Sequence, residues 1–294
     1  MGYELYGVPY SSTGGSDGIA AASQALRECG LIARLAGLAE DRGELSLRLR
    51  DPGRGPSGLA NEPGLLELIE ATEIAVAATL DRGGRALLVG GDCPVLLGAL
   101  SAIQSREGSC GLLMVDGHED AYPPLASPTG EGSDSELGMA LGLFDSELRP
   151  DLVERLPKLD ADATALLGPR DGAELAENGV ASLSERLLLH NDRRLIDGDA
   201  RALTAAAVER VRAHSERWWL HLDLDVLSTV ALAAIDYPQE GGLSWGKLVE
   251  VAETALAEPG CAGLSVVIYN PDLDPDRSHA RAIVGFLAEA LSFS

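Results

Sequence analysis

No unbroken run of about 18 apolar residues occurs in the sequence, so nothing in it reads as a membrane-spanning helix. The start, Met1 to Tyr10, lacks the basic residues and apolar stretch of a secretory signal, and a cytoplasmic location is expected. Cysteine is sparse. Cys29, Cys93, Cys110 and Cys261 stand far apart, form no Cys-x-x-Cys pair, and read as reduced thiols rather than disulfide staples. Aromatic residues make up only 4%, which favours close-packed helices on a sheet over a β-sandwich. Basic residues are also short: 23 stand against 46 acidic ones, for a net charge of −23. Such a body repels nucleic acid and anionic membrane surfaces, whereas small cationic ligands are drawn to it.

What is present is a chain of 294 residues, 46% hydrophobic and 23% charged, enough for a buried core and too balanced for disorder. There is no repeat, low-complexity tract or linker, and a single domain over residues 1–294 is expected. Short apolar runs alternate with helical patterns, the signature of a mainly parallel sheet in the α/β class. The runs predict strands at Glu4 to Val8, Arg85 to Val89, Gly111 to Asp116, Ala163 to Leu167, Trp218 to Asp225 and Leu264 to Tyr269. Helices are predicted over Glu62 to Leu80, with Leu65, Leu66, Ile69, Ile74 and Val76 inward, and over Ser244 to Leu256 and Arg281 to Leu291. Arg48 to Pro63, rich in proline and glycine, predicts a loop.

In open α/β sheets the working residues collect at the carboxyl edge. Four predicted strand ends carry polar clusters: Gly90-Gly91-Asp92-Cys93-Pro94, Asp116 to Asp120, His221 to Asp225, and Tyr269-Asn270-Pro271-Asp272. Asp116, His118 and Asp120 are spaced by two, as are His221, Asp223 and Asp225, so extended backbone would put each triplet on one face. Buried like charges at that spacing repel unless a cation sits between them. Either triplet alone is compatible with helix caps or solvated turns; two together point to metal. Four carboxylates with an imidazole suit Mn²⁺ and similar ions and suffice for two ions joined by carboxylates.

These segments resemble the arginase, agmatinase and formiminoglutamase family of binuclear manganese ureohydrolases. Gly91-Asp92-Cys93 is similar to the family's Gly-Gly-Asp-His segment and Asp116-x-His118-x-Asp120 to its Asp-Ala-His-x-Asp segment. Asp223-x-Asp225 with Gly241-Gly242-Leu243-Ser244, and Asn270-Pro271, resemble further ones, as do Gly7-Val8-Pro9 and Ala25-Leu26-Arg27 near the start. The resemblance implies a three-layer α/β/α fold with a central, mainly parallel sheet, and a hydrolase cleaving a C–N bond of a guanidino compound. It implies that Asp116 and Asp223 bridge two divalent ions, that Cys93 and Asp120 complete the first ion's set, and that His118 and Asp225 complete the second's.

Three positions depart from that pattern. Cys93 stands where the family has histidine; Pro94 suits the first helical position, which would put Cys93 near an N-cap that favours thiolate. A thiolate would shift preference from Mn²⁺ towards Zn²⁺ or Fe²⁺. The family's histidine before glycine is missing from Gly130 to Gly138, leaving Glu131 and Glu136 in that stretch, with the ligand Asp120 and with His221, as candidates for proton transfer. Finally, Ile268 occupies the place of a glutamate that helps bind guanidinium. Asp236 and Glu240 are candidate replacements, Tyr237 could stack on the cation, and Thr129 and Glu131 complete the expected substrate contacts. Glu119, on the opposite phase, is expected to stand outside this chemistry.

A modified guanidine is therefore expected as substrate, in a branch resembling the hydroxyarginine hydrolase of D-cycloserine biosynthesis. The competing expectations are a non-catalytic metal-binding or regulatory protein and an amide deacylase on a related fold. Assembly into a homo-oligomer stays open, because the helices show no decisive apolar stripe.

Overall fold

Strands that are apolar on both faces can only lie inside a sheet covered on both sides. In the computed structural model, which describes residues 2–292, the chain builds such a sheet; Met1, Phe293 and Ser294 of the expected domain lie outside the described residues. Its strands are β1 (Tyr3–Gly7), β2 (Ala39–Glu44), β3 (Arg85–Val89), β4 (Gly111–Val115), β5 (Thr164–Gly168), β6 (Leu188–Asn191), β7 (Trp218–Asp223) and β8 (Cys261–Val267). Every pairing is parallel, in the order β2-β1-β3-β8-β7-β4-β5-β6. Helices cover the sheet and complete three layers. Glu62–Asp81 packs on Val95–Glu107, while Ala200–His214, Trp245–Ala257 and Ser278–Leu291 form a second group.

All six predicted strands are present, β3 with the predicted ends and the others with shifted ones. β4 stops at Val115 and β7 at Asp223, where Leu224–Val226 tightens into a 3₁₀ turn capped by the Asp223 side chain. β8 starts earlier, at Cys261, and ends at Val267; Ala163 belongs to a turn before β5. The unpredicted strands are the two edges. β2 reads Ala-Glu-Asp-Arg-Gly-Glu and is largely exposed, so it lacks any apolar signal while its charges protect the edge from further pairing. The helices begin and end close to prediction, Ser244 capping one by accepting from the Lys247 amide. Ile74, expected inward, is 63% exposed, and the buried stripe runs through Leu65, Leu68, Ile69, Thr72 and Val76. Among the described residues no helix is long and apolar enough to cross a membrane.

One buried carboxylate ties the edge to the body. Glu4 of β1 accepts from Arg82 Nε at 2.8 Å, Arg42 Nη2 at 3.1 Å, Tyr6 Oη at 3.0 Å and Thr79 Oγ1 at 2.9 Å. It thereby links β1, β2 and the end of the helix Glu62–Asp81. The Arg82 guanidinium, outweighing burial, holds its carboxyl well below the usual range. Because the folded carboxyl keeps its charge to lower pH than the unfolded one, its contribution is complete above about pH 4.3 and fades as pH falls below that. Glu4→Gln is therefore expected to cost about 2 kcal/mol at pH 7. In urea titrations from pH 7 to 3, the gap between the two proteins should narrow below pH 4; a gap constant with pH would contradict this.

Candidate metal centre and acidic cleft

The four neighbouring strands β3, β8, β7 and β4 deliver their carboxyl ends to one place. After β3 the chain turns through Gly90 and Gly91 with φ of 86° and 72°. A Cβ on Gly91 would stand 2.5 Å from the Val8 carbonyl oxygen, so only glycine allows this approach. The turn is fixed by Asp92, which accepts from the Ser12 amide at 2.7 Å and the Cys93 amide at 3.0 Å. Pro94 is the N-cap of the helix Val95–Glu107, so Cys93 lies one residue before the cap rather than at it. The buried thiol donates to Asp223 Oδ2 at 2.8 Å. Burial, then the Asp223 charge, pushes the Cys93 thiol well up, so the expected dipole-favoured thiolate does not arise without a cation.

Asp116 follows β4 directly. Its Oδ1 accepts from the His118 amide at 2.7 Å, and its Oδ2 receives no N–H among the described residues. His118 Nδ1 lies 2.8 Å from Asp225 Oδ2 and 3.8 Å from Asp116 Oδ1, while the Gly117 amide donates to Asp225 Oδ1 at 2.9 Å. Asp120 has a left-handed φ of 46°, backbone strain that the surroundings must hold. The two triplets do converge, though not by strand alternation: only His221 and Asp223 lie in a strand, and turns aim the others. Three donor groups result, each with its ligand atoms within 4.8 Å of one another: Cys93, Asp116, Glu136 and His221; Asp116, His118 and Asp120; Asp116, Asp223 and Asp225. Asp116 is common to all three.

Burial and neighbouring negative charge push the carboxyls of Asp116, Asp120, Asp223 and Glu136 well above the usual range. Against burial, His118 and the Gly117 amide hold Asp225 below it. Asp225 in turn overcomes burial to lift His118 to about 10. Among the described residues, Asp116 Oδ2, both Glu136 oxygens and His221 Nε2 are buried and receive no N–H or hydroxyl O–H, Asp116 and Glu136 facing the Asp120 carboxyl. Unpaired acceptors around a crowded acidic centre are what divalent cations satisfy, and the donor set fits them.

These groups floor a cleft of about 360 Å³. Cys93, His118, Asp120, Asp223 and Asp225 line it, as do Thr129, Glu131, Asp236 and Tyr237. Asp116, Glu136 and His221 are fully buried behind it. Glu240 faces a separate depression beside Glu119, Arg170 and Asp192, and its neighbour Gln239 lines the cleft instead. Thr129 is occupied in its own loop, donating to Asp134 Oδ2 at 2.6 Å and accepting from the Glu131 amide at 2.9 Å. Glu119 receives Ser182 Oγ and the Leu183 amide, a structural role in keeping with its expected place outside the chemistry.

A sequence description of the arginase family matches residues 2–292. The chain belongs to the arginase family. It is 25% identical over 295 residues to an arginase of Bacillus caldovelox, across 96% of this chain and 95% of that one. It is also 25% identical over 226 residues to the N(omega)-hydroxy-L-arginine amidinohydrolase of Streptomyces lavendulae, across 76% of this chain and 74% of that one. The fold matches the crystal structure of arginase from Bacillus cereus with a TM-score of 0.83, at 21% identity over 99% of this chain and 98% of that one.

Within this family frame, Ile268 is a cleft residue with a φ of 70°, an outlier for a β-branched side chain. Reading the sequence missed Asp171 and Glu174, which line the cleft together with Asp134. Asp171 accepts from the Glu119 amide, leaves Oδ1 unpartnered, and is pushed by burial to about 6. A usable signal existed, since Asp171 follows β5 at the same carboxyl edge. In this arginase-family chain, added Mn²⁺ should raise thermal stability and chelation should lower it. An ion at about 100 times its Kd contributes about 2.7 kcal/mol. Asp116→Ala and Asp223→Ala should abolish that gain in calorimetry; an undiminished gain in both would contradict the assignment.

Proposed function

We propose that this chain is a binuclear metal-dependent amidinohydrolase and that its substrate is a modified guanidine, hydroxylated arginine foremost. The observation that carries this reading is an acidic cleft whose floor is a buried carboxylate, imidazole and thiol cluster. Membership of the arginase family supports the reaction class, and the Streptomyces lavendulae relative supports the hydroxylated substrate. Asp116 and Asp223 would bridge two ions, with Cys93 and Asp120 on one and His118 and Asp225 on the other. Mn²⁺ suits the oxygen-rich side, and the Cys93 side admits Zn²⁺ or Fe²⁺. When bound, the ions supply Lewis acidity and lower the pKa of water.

The side chains supply the rest. Asp134, Glu174 and Asp236 at the cleft draw in a cation and keep its planar head over the floor. Water adds to the guanidinium carbon, the C–N bond breaks, and its electron pair leaves with nitrogen, which must be protonated. Glu131 is the donor in this reading. Tyr237 Oη donates to Glu131 Oε1 at 2.9 Å, leaving Oε2 to carry the proton. Burial first, then Asp92, raises Glu131 to about 7, with Asp134 and Asp236 adding negative charge and Tyr237 opposing. Ile268 offers no countercharge to a fully basic guanidinium, whereas hydroxylation lowers guanidine basicity and makes that loss tolerable.

A general acid works while protonated, so the Glu131 contribution falls as pH rises through about 7. Glu131→Gln should lower kcat by about 10²- to 10⁴-fold and remove that descending limb of the kcat profile. The proposal itself is tested by measuring urea or hydroxyurea release from arginine, hydroxyarginine, agmatine and guanidino acids with Mn²⁺, Zn²⁺ or Fe²⁺. No release from demonstrably metal-loaded protein would replace it with the metal-binding reading, and turnover of acylated amines alone would replace it with deacylation.

A further inference from the structure

Behind the cleft lies a donor group of mixed chemistry. Cys93 Sγ, a carboxylate oxygen each from Asp116 and Glu136, and a ring nitrogen of His221 lie within 4.8 Å of one another. All four side chains are buried, those of Asp116, Glu136 and His221 completely. His221 projects from β7, and its Nδ1 is 2.6 Å from Ser265 Oγ on β8. That hydroxyl also receives the Trp219 indole N–H at 3.0 Å. With Nδ1–H donating to Ser265, the Nε2 lone pair is free, and Nε2 has no partner among the described residues. Neither Glu136 oxygen nor Asp116 Oδ2 receives an N–H or hydroxyl O–H among the described residues, and both carboxyls face that of Asp120 instead.

The spacing is informative. Donors bound to one zinc-like ion at 2.0 to 2.3 Å stand about 3 to 4 Å apart. Asp116 Oδ2, the Glu136 oxygens and His221 Nε2, this close yet receiving no N–H or O–H among the described residues, are arranged as ligands around a common point, and Cys93 Sγ, bonded to Asp223, stands at the same point. The kind of donor is informative too. One sulfur, one nitrogen and two oxygens make a borderline set that suits Zn²⁺ or Fe²⁺, whereas Asp116, His118, Asp120, Asp223 and Asp225 make an oxygen-rich set that suits Mn²⁺. The Ser265 hydroxyl, held by Trp219, gives His221 the outer hydrogen bond that metal-binding imidazoles use to fix their orientation.

We propose that His221 and Glu136 join Cys93 and Asp116 as ligands of a zinc- or iron-class ion, so that the two ions of this centre differ in kind. The proposal rests on the two-ion reading above and extends it to two residues that the family resemblance places outside the ligand set.

Cobalt(II) reports on it without any turnover. The full chain, stripped and reloaded with Co²⁺, should take two ions and show a thiolate-to-cobalt charge-transfer band, which Cys93→Ser removes. In His221→Gln and Glu136→Gln, the ion responsible for that band should bind about 100-fold more weakly or worse, beyond the 10- to 100-fold expected of an outer residue. The second ion should remain in both, by elemental analysis. Circular dichroism checks the fold, and if His221→Gln does not fold, the near-isosteric Glu136→Gln decides. Two retained ions with an unchanged cobalt spectrum in the folded variants would overturn the proposal while leaving the two-ion reading intact. Wild-type protein that takes up no ion would overturn both.

Discussion

The carboxyl edge of this molecule depends on one electrostatic constraint. Asp116, Asp120, Asp223, Asp225 and Glu136 are all buried, in donor groups that share Asp116. Two like charges 4 Å apart repel by about 4 kcal/mol at an effective dielectric of 20. Whole domains are stable by only about 5 to 15 kcal/mol. The five groups therefore cannot all be ionised in the folded state unless positive charge is supplied. His118 supplies some of it to Asp225; protons or divalent ions must supply the rest. The strand ends, the Gly90-Gly91 turn and the strained backbone at Asp120 are the scaffold that keeps these carboxylates from moving apart.

That constraint explains what could be read in the sequence. Buried parallel strands are continuous apolar runs, so β1, β3, β4, β5, β7 and β8 were legible. The edges β2 and β6 were not, because an edge strand is held by pairing on one side and has no need of an apolar face. The metal triplets were legible as residue types and not as geometry. Asp223 sits at the last residue of β7, and its side chain bends the backbone into a turn, so alternation fails before Asp225 while a second mechanism, capping, still delivers that carboxylate. Asp171 was missed, and Glu136 was read as a proton-transfer candidate without its place in the donor group. Asp171 obeys the carboxyl-edge rule and needed only its application to β5, whereas Glu136 lies on a short helix, where nothing in its neighbours signals a place beside Cys93 and His221.

The departures from the family pattern are connected in space. Cys93 stands where the family has a histidine, and a buried imidazole, His221, reaches the same donor group from β7, across β8. A thiol alone would be a poor exchange, since burial beside Asp223 disfavours its charged form. A cation reverses that preference by pairing with the thiolate, and a neutral imidazole adds a donor without adding negative charge. The Ser265 hydroxyl is what makes His221 suitable, because an unanchored ring could turn its N–H towards the carboxylates instead. Cys93 and His221 together thus form a donor pair whose charge balance suits a bound cation.

Charge also shapes what reaches this floor. The cleft wall carries Asp134, Asp171, Glu174 and Asp236, in a chain of net charge −23. Arg170, whose Nη2 donates to the Asp225 carbonyl at 2.7 Å, stands on the far side of the centre, lining the other depression. Approach from the cleft is therefore attractive to cations, while the positive charge that steadies the ligand loop is kept out of their path. Asp171 and Glu131, titrating near 6 and 7, make the strength of that attraction vary across the neutral range. On the proposed function, a strongly basic guanidinium would pull the Glu131 carboxyl towards its ionised form and so remove the proton that the departing amine would require. A less basic guanidine disturbs it less, leaving the acid poised. On that proposal, substrate basicity and the protonation of Glu131 are linked through the same field, and the apolar Ile268 would favour the weaker base.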